Sequence, residues 1–258
     1  MRADVYLSQN GYCESRSKAA ASINACLLFV NGKCVTKCSF DITEGDTVEL
    51  RGEAIPFVGR GGLKLKGAID AFALDVTGAV CADIGASTGG FTDCLLQNGA
   101  KKVYAIENGS GQLHPSLVND ERVVNIENFN ARDLNENSLG EKCDVAVMDV
   151  SFISQTLLHG GVASILKDNG IFVSLIKPQF EVGKRFICRG GIVKDRTAHI
   201  GAIEATVTSA KAYGLLLKNI APSPIEGGDG NREYLAQFIK NGESETTLTK
   251  ELLKKLTS

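Results

Sequence analysis

Four ionisable residues stand where proton chemistry could be staged. Asp149 closes the run DVAVM and precedes VSFIS, and Lys177 closes IFVSLI and precedes Pro178. Lys64 lies in RGGLK, and Glu233 lies in GNREY ahead of an apolar run. Two lysines and two carboxylates suit removal of a proton from a hydroxyl and stabilisation of the oxyanion that results. Asp149 and Lys177 each end a strand-like segment, and in an open α/β sheet the carboxyl ends of strands border the ligand crevice. Pro178 holds the preceding backbone out of the helical region, so the strand is predicted to stop at Lys177. The competing reading is a peripheral salt bridge, which the apolar runs before both residues argue against. No GxSxG elbow is present, and the spacing of Asp149, Ser151 and His159 does not support a hydrolase triad.

A second constellation is built on glycine. Asp83 to Gly90 reads DIGASTGG, following an apolar strand and opening a helix. Gly85 permits a tight turn, while Gly89 and Gly90 permit close approach of a ligand or a helix. The spacing departs from the GxGxxG dinucleotide fingerprint and lacks the Lys-Ser/Thr ending of a P-loop. A nucleotide-like ligand without a pyrophosphate therefore fits better, and S-adenosylmethionine is favoured over NAD. Glu107 ends the next strand, 22 residues after Gly85, where a carboxylate can accept hydrogen bonds from ribose hydroxyls. Asp83 is expected to orient the amino-acid part of the cofactor, and Asn128 to Asp133 (NFNARD) to line the adenine pocket. The alternative is a purely structural glycine turn.

These residues need a scaffold. From residue 77 onward strand and helix signals alternate: strands near 80–84, 102–106, 122–126, 144–148 and 171–176, with helices near 89–97, 155–166 and 198–213. This rhythm predicts an α/β, doubly wound, Rossmann-like sheet that is mostly parallel. Two closing strands near 215–221 and 233–239, joined by the turn-rich stretch 222–231, predict an antiparallel hairpin edge. The tail TKELLKKL is a short amphipathic helix. The first 56 residues read as a separate small α/β unit. It holds a Ser15-capped helix over Arg16 to Cys26, then LLFV and the turn Asn31-Gly32. The expected division is residues 1–56, a connector and leading helix at 57–76 that starts in AIPFVGRGG, and a large domain at 77–258.

Composition bounds the rest. The 258 residues carry 28 Lys and Arg against 30 Asp and Glu, a net charge of -2, with 43% hydrophobic residues. Such a chain suits a packed globular protein and argues against disorder. It also argues against a binder basic along its whole length. The opening MRADVYLSQN has no apolar core, so no signal peptide is expected, and no apolar run is long enough to span a membrane. Cytoplasmic localisation and no membrane partner are the expectation. The eight cysteines, including Cys26, are scattered, and reduced thiols are expected. Cys34-x3-Cys38 lacks a second pair, and the three histidines are dispersed, so no metal site is expected.

RGGLKL (60–65), CADIGASTGGFTDCLL (81–96), GQLH (111–114), DVSFIS (149–154) and KPQFE (177–181) lie in this order along the chain. With them the sequence resembles the TlyA family, bacterial rRNA 2'-O-methyltransferases often labelled haemolysin A. The resemblance covers nearly the whole length. Residues 1–56, with ESRSKA and LLFVNGKCV, resemble an S4 RNA-binding domain, and the larger part resembles the FtsJ-type methyltransferase fold. The resemblance implies methyl transfer from S-adenosylmethionine to the ribose 2'-hydroxyl of a cytidine in ribosomal RNA. The family's Lys-Asp-Lys-Glu tetrad falls on Lys64, Asp149, Lys177 and Glu233. Lys177 is then the central base or alkoxide-stabilising residue, and Asp149 orients it. Lys64 and Glu233 position the ribose. The implied cofactor residues are Asp83, Gly85, Ala86, Ser87, Gly89, Gly90, Phe91, Glu107, Asn128, Asn130 and Asp149.

Where the family often has an aspartate after the second strand, this chain has Glu107-Asn108-Gly109, one methylene longer. Residues 1–56 hold six Lys and Arg against seven Asp and Glu, so their charge is -1. Phosphate contacts supply much nucleic-acid affinity, so any RNA surface must be local. Arg2, Arg16, Lys18 and Lys33 in the first unit, with Arg60 and Lys66 at the cleft edge, are where it is expected. The partner implied is ribosomal RNA or a ribosomal subunit, and the sequence leaves the oligomeric state open. The competing functional class is a noncatalytic RNA-binding or ribosome-assembly factor that retains the fold. A membrane-active haemolysin lacks any supporting segment.

Overall fold

The computed structural model describes residues 1–24, 27–51, 55–227, 230–243 and 245–258. Cys26 and the start of the connector at Ala54 lie outside the described residues, as does part of the 222–231 turn. In the first unit, α1 (Ala3–Gln9) and α2 (Arg16–Asn24) pack beside a three-stranded antiparallel sheet. Its strands are β1 (Leu28–Val30), β2 (Lys33–Cys34) and β3 (Val48–Leu50), with β1 central. Ser15 Oγ accepts from the Lys18 amide at 3.2 Å, the expected cap. Ala3, Leu7, Ala19, Ile23, Leu28 and Val30 form its small core. Helix α1 has no local signature in the sequence, because polar residues interrupt it.

The larger unit opens with α3 (Gly61–Phe72), whose Leu65, Ala68 and Ile69 are buried. Strand β4 (Val80–Ile84) is buried at every position, as a central parallel strand covered on both faces must be. It leads through the glycine loop into α4 (Gly90–Gln97). Then come β5 (Lys102–Ile106), α5 (Pro115–Val118), β6 (Val123–Ile126), β7 (Cys143–Met148), α6 (His159–Ile165) and β8 (Leu166–Ile176). The chain finishes with α7 (Pro178–Glu181), α8 (Arg196–Lys211), β9 (Leu215–Pro222), β10 (Tyr234–Lys240) and α9 (Lys250–Leu256).

The seven strands run in the order β6-β5-β4-β7-β8-β10-β9. The first five are parallel, and β10 is antiparallel to both β8 and β9. The doubly wound sheet and the closing hairpin are therefore present, with β10 inside and β9 at the edge. The segment expected as one helix over 155–166 is a 3-10 turn at Gln155–Leu157 followed by α6. Helix α9 packs Leu253 and Leu256 into the core.

After β4 the chain builds outward through β5 and β6, then returns to the other side of β4 with β7. That reversal puts a topological switch point between the carboxyl ends of β4 and β7, where open α/β sheets bind ligands. The Asp149 amide donates to the Ile84 carbonyl at 3.1 Å and ties the two ends together.

Candidate active site

Gly85 follows β4 with φ +84, and a Cβ there would lie 2.8 Å from the Asp149 carbonyl oxygen. Both facts demand glycine, and together they let the loop fold against β7. At Gly90 a Cβ would lie 2.9 Å from the Gly62 amide and 3.2 Å from the Gly59 carbonyl. The glycines of RGG and of STGG thus let α3 and α4 meet backbone to backbone, which brings Lys64 over the end of the sheet. Gly89 serves packing of another kind: a Cβ would strike Leu117 and Leu113 beside α5. Its expected ligand contact is corrected to a close approach of protein to protein.

Two adjoining cavities open at the switch point. The larger, about 630 Å³, is lined by Gly85, Ser87, Glu107, Gln112, Phe129, Asn130 and Asp149, among others. The smaller, about 190 Å³, is lined by Gly61, Gly85, Ala86, Ser87, Thr88, Gly90, Phe91, Asp149, Ser151 and Lys177. They share Gly85, Ser87, Asp149 and Ser151, so one continuous cleft runs from Glu107 to Lys177. Glu107 Oε2 accepts from the Ser87 amide at 2.9 Å and Oε1 from the Gly109 amide at 2.8 Å. The extra methylene of glutamate is used to reach the loop while the carboxylate still borders the cavity.

Besides Gly89, two further expected cofactor contacts are not in the cleft. Asp83 is fully buried, and its Oδ2 accepts from Thr92 Oγ1 at 2.7 Å. It points into the packing between β4 and α4, and burial pushes its carboxyl up to about 7, opposed by the Thr92 hydrogen bond. Asn128 lines neither cavity and takes φ +54, while Asn130 two residues on lines the larger one. A strand end shows from sequence, but which alternate side chain faces the crevice depends on a local turn.

The tetrad residues converge. Lys64 Nζ lies 2.6 Å from Glu233 Oε2 and 3.9 Å from Asp149 Oδ2. Lys177 Nζ lies 2.5 Å from Asp149 Oδ1 and donates to Ser151 Oγ at 2.9 Å. The Lys177–Asp149 approach lies off the hydrogen-bonding direction, so it is an ion pair that leaves Oδ1 without a hydrogen-bond partner. Three of the four are nearly dry, with Lys64 and Lys177 8% exposed and Glu233 2%, while Asp149 is half-buried at the cleft. Two buried cations offset the buried Glu233 and the half-buried Asp149, whose side chain is 19% exposed, the condition under which such charges are tolerated. The register of β10 on β8, with Tyr234 opposite Ile176, sets Glu233 beside Lys177. Of the four, Lys177 and Asp149 face the cleft, whereas Lys64 and Glu233 stand behind them.

Several side chains at the site escaped sequence reasoning. Ser151 holds Lys177, and Gln179 Nε2 donates to Glu233 Oε1 at 3.5 Å. Phe152 is 92% exposed at the cleft mouth with φ +63, a strained setting for an aromatic residue, and its ring lies 5.2 Å from that of Phe180. An apolar residue inside DVSFIS reads as core until the structure shows it outside.

The expected RNA residues are mostly engaged elsewhere. Arg2 and Arg16 both bind Asp4, at 2.9 and 2.8 Å, and hold its carboxyl down at about 2. Lys18 pairs with Glu14 at 2.5 Å, while Lys33 is exposed. Arg60 donates to the Glu226 carbonyl at 3.0 Å. Lys66 is corrected: two residues past Lys64 it lies about 200° around the helix, pairs with Asp70 at 2.5 Å and does not share the cleft face. Among the described residues no group of side chains could hold a metal ion, and no helix is long and apolar enough to cross a membrane.

Comparison with known proteins agrees with this architecture. The FtsJ-like methyltransferase family matches residues 57–240, and the S4 domain matches residues 1–48. Hemolysin A of Brachyspira hyodysenteriae is 44% identical over 93% of this chain and 100% of its own length. The 16S/23S rRNA (cytidine-2'-O)-methyltransferase TlyA of Mycobacterium tuberculosis is 40% identical over 90% of this chain and 87% of its own. A solved Streptococcus thermophilus structure described as a hemolysin superposes with a TM-score of 0.79 at 39% identity, covering 100% of this chain and 94% of that one. The chain therefore belongs to the hemolysin A/TlyA family, in which an S4 domain precedes an FtsJ-like methyltransferase domain.

Proposed function

We propose that this protein transfers a methyl group from S-adenosylmethionine to the ribose 2'-hydroxyl of a cytidine in ribosomal RNA, in the cytoplasm. The observation that carries the reading is the Glu233–Lys64–Asp149–Lys177 chain of charges at one end of a cleft that runs past the glycine loop to Glu107. The cleft fits the cofactor: its larger chamber is within the usual size of a small-molecule site, and Glu107 is a carboxylate suited to ribose hydroxyls. Gly85, Ala86, Ser87 and Glu107 would hold it, with Asn130 and Phe129 beside the base. When bound it supplies an electrophilic methyl on a positively charged sulfur.

The protein supplies the rest. Lys177 Nζ donates to the ribose oxygen and stabilises its negative charge as the proton leaves. The Asp149 carboxylate, ion-paired with Lys177 through Oδ1, is the neighbouring acceptor for that proton. Ser151 fixes the ammonium, and Lys64 with Glu233 fixes Asp149 from behind. Phe152 offers an exposed ring on which the target base can stack. The test is methyl transfer to unmodified ribosomal subunits by the wild type and by Lys177→Ala. Sugar methylation that vanishes in the variant supports the reading. Undiminished transfer by Lys177→Ala, or methylation of a base, would overturn it.

A further inference from the structure

The chain is net acidic, and the cations expected to meet RNA in the first unit are largely tied to Asp4 and Glu14. The segment Gly183 to Lys194 (GKRFICRGGIVK) has the opposite character: four cations, Lys184, Arg185, Arg189 and Lys194, and no acid in 12 residues. All four are exposed, and among the described residues none forms a salt bridge. The next residue, Asp195, is spent on capping α8, where it accepts from the Thr197 and Ala198 amides.

The segment is also built, not merely charged. Lys184–Phe186 forms a 3-10 turn, and Ile187 then bridges Val193. Gly190 and Gly191 turn the chain between them at φ +87 and +78. Buried Asn231 clamps the closed end: its Oδ1 accepts from the Val193 amide at 3.0 Å, and its Nδ2 donates to the Gly191 carbonyl at 3.0 Å. His199, also buried, bonds the Val193 carbonyl through Nε2 at 2.8 Å and the Tyr234 hydroxyl through Nδ1 at 2.8 Å. The arm follows α7, the short helix after Lys177, and is held by Asn231 directly and by Tyr234 through His199, the two residues that bracket Glu233 in sequence being Asn231 and Tyr234. These bonds hold the backbone of the arm beside the residues next to Glu233.

We infer that residues 183–194 form a rigid cationic arm that grips the phosphate backbone of the RNA strand whose ribose enters the cleft. The inference rests on the proposed RNA substrate and goes beyond it by locating the main electrostatic contact on the methyltransferase domain. Unpaired exposed cations on a pre-ordered loop meet the two needs of phosphate recognition, charge and position.

Each phosphate neutralised adds about 0.7 to 0.9 to the slope of log K against log salt. If all four cations engage phosphates, their advantage shrinks by roughly 50- to 150-fold between 50 and 200 mM salt. The probe is ribosomal RNA extracted from cells that lack the modification, titrated with the full chain across that salt range. The variant Lys184→Gln/Arg185→Gln/Arg189→Gln/Lys194→Gln should bind weakly with a shallower slope, while its S-adenosylmethionine affinity and thermal midpoint match the wild type. Arg185→Lys/Arg189→Lys should keep the slope. So should Lys101→Gln/Lys142→Gln, which removes exposed cations at the amino ends of β5 and β7. A quadruple variant that binds with wild-type affinity and slope, in a wild type that methylates the RNA, would refute the arm and leave the activity standing. A wild type that neither binds nor methylates this RNA would instead remove the RNA reading, and the arm with it.

Discussion

Replacing Lys64 with methionine should unfold this protein far more easily than its surface loss suggests. Glu233 is 2% exposed, and its short contact is Lys64 Nζ at 2.6 Å, with Gln179 only at 3.5 Å. Lys64→Met leaves that carboxylate dry and unpaired, which costs about 3–5 kcal/mol. At 2–4 °C per kcal/mol for a domain of this size, the midpoint should fall by roughly 6–20 °C. Glu233→Gln should cost a comparable amount by stranding the lysine, although Asp149 at 3.9 Å softens it. The double variant removes both charges and should recover most of the loss, for a coupling of about 2–4 kcal/mol. Urea unfolding of the four proteins in the cycle measures this directly, with S-adenosylmethionine titration as a check that the cleft survives. Methyl transfer should be lost in all three variants. A Lys64→Met protein within about 0.5 kcal/mol of wild type, the range of an ordinary surface change, would refute the reasoning. Additive single losses in the double variant would refute it equally.

Three further outcomes follow from the geometry. Burial raises the Asp83 carboxyl to about 7, so Asp83 favours folding below its unfolded value of about 3.9 and loses that contribution as pH rises through 7. Asp83→Asn should therefore flatten the decline of the thermal midpoint between about pH 4 and 7, while S-adenosylmethionine affinity is unchanged because the side chain lies outside the cleft. His159 has the opposite sign: burial holds it down at about 4, so stability falls as pH drops from about 6.5 to 4, by about 3 kcal/mol. His159→Leu should remove that acid sensitivity in urea titrations at pH 7 and pH 4.5. Phe152→Ala removes an exposed, strained ring, so stability should hold or rise slightly while kcat/KM on RNA falls about tenfold or more from lost stacking.

The strand ends were legible because apolar runs broken by Asp149, Lys177-Pro178 and Gly85 announce themselves locally. Side-chain direction was not. Lys64 and Lys66 are two residues apart and share a motif, yet one is buried against Glu233 and the other pairs with Asp70 in solvent, because α3 rotates about 100° per residue. Asp83 opens the DIGASTGG motif, which suggests a cleft residue, but its position on an all-buried strand turns it toward Thr92. The cations of the first unit looked available because the fold of Arg2 and Arg16 onto Asp4 joins residues from two helices and the chain before them. The arm at 183–194 has no local signature, because its charges are ordinary in number and acquire meaning only from Asn231 and His199.

By itself the sequence determined the alternating α/β scaffold, the glycine loop and the closing hairpin, since each is a matter of local pattern, and its resemblance to the TlyA family pointed to Lys64, Asp149, Lys177 and Glu233 as the expected tetrad. Only the tertiary structure decided that Lys64 and Glu233, 169 residues apart, are direct partners, and that Asp149 joins both lysines. It also decided which cations are spent and which are free. Charge pairing is a property of distance in space, and the sheet order β4-β7-β8-β10, not position along the chain, sets those distances.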